Sequence, residues 1–165
     1  MGYIVMHIHV IYIHLHTYNN CREGPISKDE IMAYTKNLET LRILFIDDDH
    51  LLRRSMGYYF RNKVSTFIAV ETAEQGLQRL KTEIFDVVIC DYRLPGMDGL
   101  RFFENLEETH PGLNKILVTA YLRDTLEEEA KRSGVRTFIR KPFDANEIES
   151  ALVKIGGIVK KRILP

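Results

Sequence analysis

The sequence predicts an α/β fold: a doubly wound parallel sheet of five strands with helices on both faces. Two observations carry this. From Leu41 onward, short apolar, β-branched runs alternate with stretches whose apolar residues recur at helical spacing. The run Val87–Cys90 is continuous in apolar character, as a strand covered on both faces should be. Composition agrees, because 165 residues, 45% hydrophobic and 28% charged, make an ordinary one-domain globular chain.

Taken in order, Leu41–Ile46 is the first strand and ends in acids. Residues 49–61 form a helix with Leu52, Met56, Tyr59 and Phe60 on one face and Asp49 as its cap. Val64–Val70 is the second strand. Thr72 and Gln75 read as a capping box, and Ala73, Leu77 and Leu80 line the second helix. Val87–Cys90 is the third strand, with Cys90 a small buried core residue. Asp98-Gly99 is a turn into the third helix, marked by Leu100, Phe103 and Leu106 and stopped near Pro111-Gly112. Ile116–Val118 is the fourth strand. The fourth helix starts at Asp124 with Glu127 as box partner and ends at Gly134, a C′ residue. Val135–Ile139 is the fifth strand. Asp144 and Glu147 cap the last helix, whose inner face is Ile148, Leu152, Ile155 and Val159. Crossovers between such strands are right-handed.

This domain covers 41–160, behind an extension 1–40 and ahead of a short basic end 161–165. The run Tyr3–His16 is apolar, broken only by His7, His9, His14 and His16. It lacks the basic start and cleavage site of a signal peptide. Its imidazoles interrupt a stretch too short for a membrane helix. Its codons suit translated upstream repeat DNA, which makes Met32 the more natural start. An accessory strand is the second reading, and metal binding through His7 and His9 on one strand face the third. Residues 21–40 read as a connector or a short helix.

Charge narrows the function. Twenty-three basic residues cancel twenty-three acidic ones, which argues against a protein that coats nucleic acid. Cys21 and Cys90 form neither a disulfide framework nor a zinc pattern, which fits the reducing cytoplasm.

Ligands of open α/β sheets sit beyond the carboxyl ends of the strands. There the first strand offers Asp47-Asp48-Asp49, the third Asp91, the fourth Thr119-Ala120 and the fifth Lys141-Pro142. The second offers only Glu71, as befits an edge. In the order 2-1-3-4-5, the four polar groups converge. Crowded carboxylates need a cation. An all-oxygen donor set suits Mg²⁺ rather than Zn²⁺. The Thr119 hydroxyl and Lys141 ammonium suit phosphoryl oxygens, and an Asp can be the nucleophile. The pocket is thus suited to in-line phosphoryl transfer onto an Asp.

Ile43–Asp49, Asp86–Gly99 with its central Asp91, Leu117–Ala120 and Lys141-Pro142-Phe143 together resemble the receiver domain of two-component response regulators. The resemblance spans the whole domain and implies its flavodoxin-like receiver fold. It implies that Asp91 is the phosphoacceptor, fed by a phosphohistidine on a sensor histidine kinase or phosphotransfer protein. Asp48 and Asp91 would bind Mg²⁺ directly, Asp47 largely through water, and the Arg93 backbone carbonyl would be a further ligand. Thr119 would bond the phosphoryl group. Lys141 would pair with Asp91 and then with the phosphate, and the Lys141-Pro142 bond would be cis. Phe138 occupies the aromatic switch position, where plain packing is the alternative. Arg93 and Tyr121 would flank the path of water and tune phosphoryl lifetime, to minutes or longer.

Such a domain catalyses only its own phosphorylation and dephosphorylation. Its readout would be the face of the fourth helix, fifth strand and fifth helix, met by a downstream protein or a phosphorylation-dependent second copy. Direct nucleic-acid and membrane binding are not expected of it. It would stand alone or be a fragment of a longer DNA-binding regulator. A magnesium phosphatase with an Asp nucleophile is the rival. Such enzymes commonly place an acid where this chain has Arg93. A dinucleotide enzyme lacks its glycine motif after the first strand.

Overall fold

A computed structural model describes residues 38–121 and 123–163, with side chains to residue 155. The readings on the His-bearing run, Met32, the Val159 side chain and the side chains of the basic end lie outside the described residues. A helical turn at 38–40 leads into the sheet, and Leu38 is buried.

Strand β1 is Arg42–Ile46, β2 Thr66–Val70, β3 Val87–Asp91, β4 Asn114–Thr119 and β5 Thr137–Arg140. All pairs are parallel and the order is β2-β1-β3-β4-β5, as expected. Between and after them run helices α1 (His50–Phe60), α2 (Ala73–Thr82), α3 (Gly99–Glu107), α4 (Asp124–Arg132) and α5 (Ala145–Ile163). Burial tracks position in the sheet. Every residue of central β3 is buried, whereas edge strand β2 buries only Val70. On one side of the sheet, Leu44, Ile46, Val88, Cys90 and Leu117 pack with Phe102, Phe103 and Leu106 of α3. Among the described residues, no helix is long and apolar enough to cross a membrane.

The helix starts are mostly the ones the sequence names. Asp49 accepts the N–H groups of Leu51 and Leu52 and caps α1. Asp144 accepts the N–H groups of Asn146 and Glu147, while Glu147 reaches back to the Asp144 N–H, a complete capping box. Thr72 accepts the Gln75 N–H, but the Gln75 side chain turns to the N–H of Glu71 instead of the cap. Helix α4 departs from expectation. Its N-cap is Arg123, with no side-chain cap bond, and Asp124 is already helical. Glu127 pairs with Lys131 one turn on rather than closing a box. The two acids of that first turn still oppose the partial positive charge of the helix end. At the other end Gly134 takes φ +78°, its N–H donates to the Lys131 carbonyl and the Val135 N–H to the Ala130 carbonyl. That is a Schellman stop, with Gly134 as the C′ residue expected.

Candidate functional site

Parallel strands in register bring their carboxyl ends to one edge, so the residues at the ends of β1, β3, β4 and β5 meet there. Asp47, Asp48 and Asp91 each offer a carboxylate oxygen within 4.8 Å of the others. Asp47 is fully buried and Asp91 nearly so, while Asp48 faces solvent. Lys141 reaches in from the end of β5. Its ammonium donates to Asp47 Oδ2 at 2.8 Å and to Asp91 Oδ2. The Lys141-Pro142 bond is cis, and the Lys141 N–H donates to the Thr119 carbonyl at 2.9 Å.

The neighbours fix each carboxylate. Asp47 Oδ1 accepts the Asp49 N–H at 2.9 Å. Arg53 donates to the Asp47 carbonyl at 2.7 Å. Asp91 Oδ1 accepts the Arg93 N–H at 3.3 Å. Burial pushes the Asp91 carboxyl above its ordinary value, against the opposing pull of Lys141. Burial depresses Lys141, but its bonds to Asp47 and Asp91 win and hold its proton more tightly than usual. Three carboxylates against one ammonium leave this cluster formally two charges negative. An all-oxygen set with that excess fits a divalent cation such as Mg²⁺.

The remaining expected residues lie on β4 and β5 and in the loops that follow β3 and β4. Thr119 is buried, and its hydroxyl donates to the Tyr121 carbonyl at 3.3 Å and accepts the Tyr121 N–H at 3.2 Å. Phe138 is half-buried against the core. Arg93 and Tyr121 are exposed, and the Arg93 guanidinium lies 5.1 Å from the Tyr121 ring centre. Glu71, at the end of the edge strand, pairs with Arg53 instead of joining the acids.

Two contributors escaped the sequence reading. Gly99 is more than a turn residue. A Cβ there would overlap the Asp91 carbonyl oxygen and come 3.2 Å from Cys90 Sγ, so only glycine lets α3 start so close to β3. Glu74 of α2 accepts the Met97 N–H at 3.1 Å from across the β3–α3 loop. The Asp-Gly pair hinted at the first, and nothing local marks the second.

Known proteins are similar to this chain in sequence and fold. A family profile, response regulator receiver domain, matches residues 43–153. Response regulator protein FleR of Pseudomonas aeruginosa is 34% identical over 107 residues, 65% of this chain and 23% of that protein. Transcriptional regulatory protein GlrR of Escherichia coli (strain K12) is 30% identical over 110 residues, 67% of this chain and 25% of that protein. The chain therefore spans about a quarter of the length of these two. Sporulation initiation phosphotransferase F of Bacillus subtilis is 29% identical over 113 residues, 68% of this chain and 91% of that protein. Among solved structures, a CheY-like response regulator receiver domain protein from Methanospirillum hungatei JF-1 superposes with a TM-score of 0.69 at 26% identity. That match covers 74% of this chain and 98% of the other.

Proposed function

The chain belongs to the response regulator receiver domain family, and we propose that it takes a phosphoryl group onto Asp91 from a phosphohistidine on a sensor kinase or phosphotransfer protein. The observation that carries this is the Lys141 ammonium, which ties Asp47 and Asp91 into one cluster at the carboxyl edge of the sheet. A carboxylate oxygen of Asp91 forms the new O–P bond. The N–P bond to the donor histidine breaks, and its electron pair stays on the imidazole nitrogen. Lys141 orients the carboxylate beforehand and then serves the phosphoryl oxygens as a fixed positive charge. Asp48 and Asp91, with the Arg93 backbone carbonyl, would hold Mg²⁺, and Asp47 would act largely through water. When bound, the ion supplies charge neutralisation for the transferred group. The domain thus catalyses its own phosphorylation and dephosphorylation.

The switch follows from what Thr119 must give up. Its hydroxyl is engaged with the Tyr121 main chain. Bonding the phosphoryl group draws it away, and Phe138 moves into the space it leaves. This biases a two-state equilibrium that is read on the face of α4, β5 and α5. A downstream protein or a second copy of the chain would take that face, in the cytoplasm. FleR and GlrR are much longer than this chain, whereas the sporulation phosphotransferase is of similar extent. Receiver output through an attached DNA-binding region is thus the second arrangement.

Phosphotransfer profiling tests this reading. Radiolabelled histidine kinases and phosphotransfer proteins of the source organism are each mixed with the chain and with its Asp91→Asn variant. Rapid label transfer from one donor to the wild type alone is expected. Transfer from none, or equal transfer to the variant, would overturn it.

A further inference from the structure

We infer that Glu74, reaching across from α2, is a positioning residue that fixes the backbone of the β3–α3 loop, and with it the cation ligands at Asp91 and Arg93. The inference rests on the receiver reading and adds a residue to it. The loop is well held at both ends. The Tyr92 N–H donates to the Val118 carbonyl at 2.7 Å, and the Gly99 N–H closes on the Tyr92 carbonyl at 2.9 Å. Asp98 accepts the Arg101 N–H and caps α3. Residues 94–97 lie between these anchors and outside any strand or helix.

Glu74 supplies a hold on this middle stretch. Its Oε1 accepts the Met97 N–H at 3.1 Å. The same carboxylate lies beside Gly96, where an added Cβ would stand 3.0 Å from Oε1. Gly96 takes φ +81°, a left-handed turn that glycine makes without strain. Glu74 is itself fastened by its own N–H and by the Thr72 hydroxyl, and with Met97 these keep its carboxyl ionised below the ordinary range. The bond to the loop is therefore charge-assisted. It ties two segments 23 residues apart. A loop already ordered in the free protein binds a cation without first giving up alternative conformations, which would otherwise weaken the apparent affinity.

The test compares wild type with Glu74→Ala and Glu74→Gln. In protein free of divalent cations, amide hydrogen exchange at Met97 should be faster in Glu74→Ala and near wild type in Glu74→Gln, which keeps an acceptor. In Mg²⁺ titrations of acetyl phosphate labelling, Glu74→Ala should raise half-saturating Mg²⁺ by roughly three- to tenfold. Its rate at saturating Mg²⁺ should match wild type, and Glu74→Gln should restore most of the shift. An unchanged half-saturation in Glu74→Ala, or a Glu74→Gln as defective as the alanine variant, would overturn the inference. Failure of the wild type to be labelled at all would instead strike the receiver reading, and Met97 exchange would still judge the loop contact.

Discussion

The Arg93 guanidinium stands 5.1 Å from the centre of the Tyr121 ring, joining the loops that follow β3 and β4. The resemblance to receiver domains implies that these two positions tune the lifetime of a phosphoryl group, and in the fold they lie together. A cation held over an aromatic face is attracted to it, more so as water is excluded. If both shield a phosphoryl group on Asp91, they would do so as one unit. Replacing either residue by Ala should shorten the phosphoryl lifetime by roughly two- to fivefold. The double variant should be little worse than either single one, because the two share one contact. Decay of radiolabelled protein in Mg²⁺, after removal of the donor, measures this. Additive effects would refute the shared cover, and decay of the wild type within seconds would refute the shielding itself.

In the proposed switch, Thr119 would link chemistry to readout through a hydroxyl already committed to the Tyr121 main chain. Thr119→Ala should fold, at a cost of about 1 kcal/mol for the lost hydrogen bonds. It should still accept phosphate on Asp91, more slowly. Its Phe138 ring should no longer respond. Ring resonances of Phe138 with and without the phosphoryl analogue beryllofluoride report this directly. A wild-type response in the variant would separate Thr119 from the switch.

Asp91 carries a pH signature. Burial raises its folded-state pKa above the ordinary 3.8. The folded chain then holds the proton more tightly than the unfolded chain does. Stability from this group is greatest in acid and falls as pH rises through the interval above 3.8. At neutral pH the ionised Asp91 carboxylate is a cost, so Asp91→Asn should raise the melting temperature. Lys141 has the same sign at higher pH. Its raised pKa contributes stability below 10.5, lost as pH climbs through the folded value. Carboxyl NMR titration in the absence of Mg²⁺ should place Asp91 above 3.8. Lys141→Met should move it higher still. A midpoint below 3.8, or no movement in the variant, would contradict this account.

Gly99 offers a steric test. The Cβ of Gly99→Ala has no room against the Asp91 carbonyl. Either α3 or β3 must shift, at about 1–3 kcal/mol. Denaturant unfolding should show that loss, and labelling of Asp91 should slow. A variant of wild-type stability and rate would mean that the backbone yields freely there.

The sheet was legible because its signals are local. Val87–Cys90 is apolar throughout, and it is the strand buried along its length. The site was legible because a parallel sheet sends every strand end to one edge, so Asp47, Asp91, Thr119 and Lys141 needed only the strand order to meet. Capping was legible to within a residue. Asp124 stands one place inside the helix that Arg123 begins, because a capping signature does not fix which polar residue keeps extended backbone. The contacts of Glu74 with Met97 and of Arg93 with Tyr121 had no local signal, since each joins segments that only the fold brings together, and the Asp98-Gly99 pair only hinted at the approach of Gly99 to Asp91.

The central claim is that Asp91 is a Mg²⁺-dependent phosphoacceptor. Acetyl phosphate labelling followed by mass-spectrometric mapping, on the wild type and on Asp91→Asn, tests it most directly. The account predicts one phosphoryl group per chain, on Asp91, absent without Mg²⁺ and absent from a folded Asp91→Asn. Undiminished labelling of that variant, or a modification mapped to another residue, would contradict it.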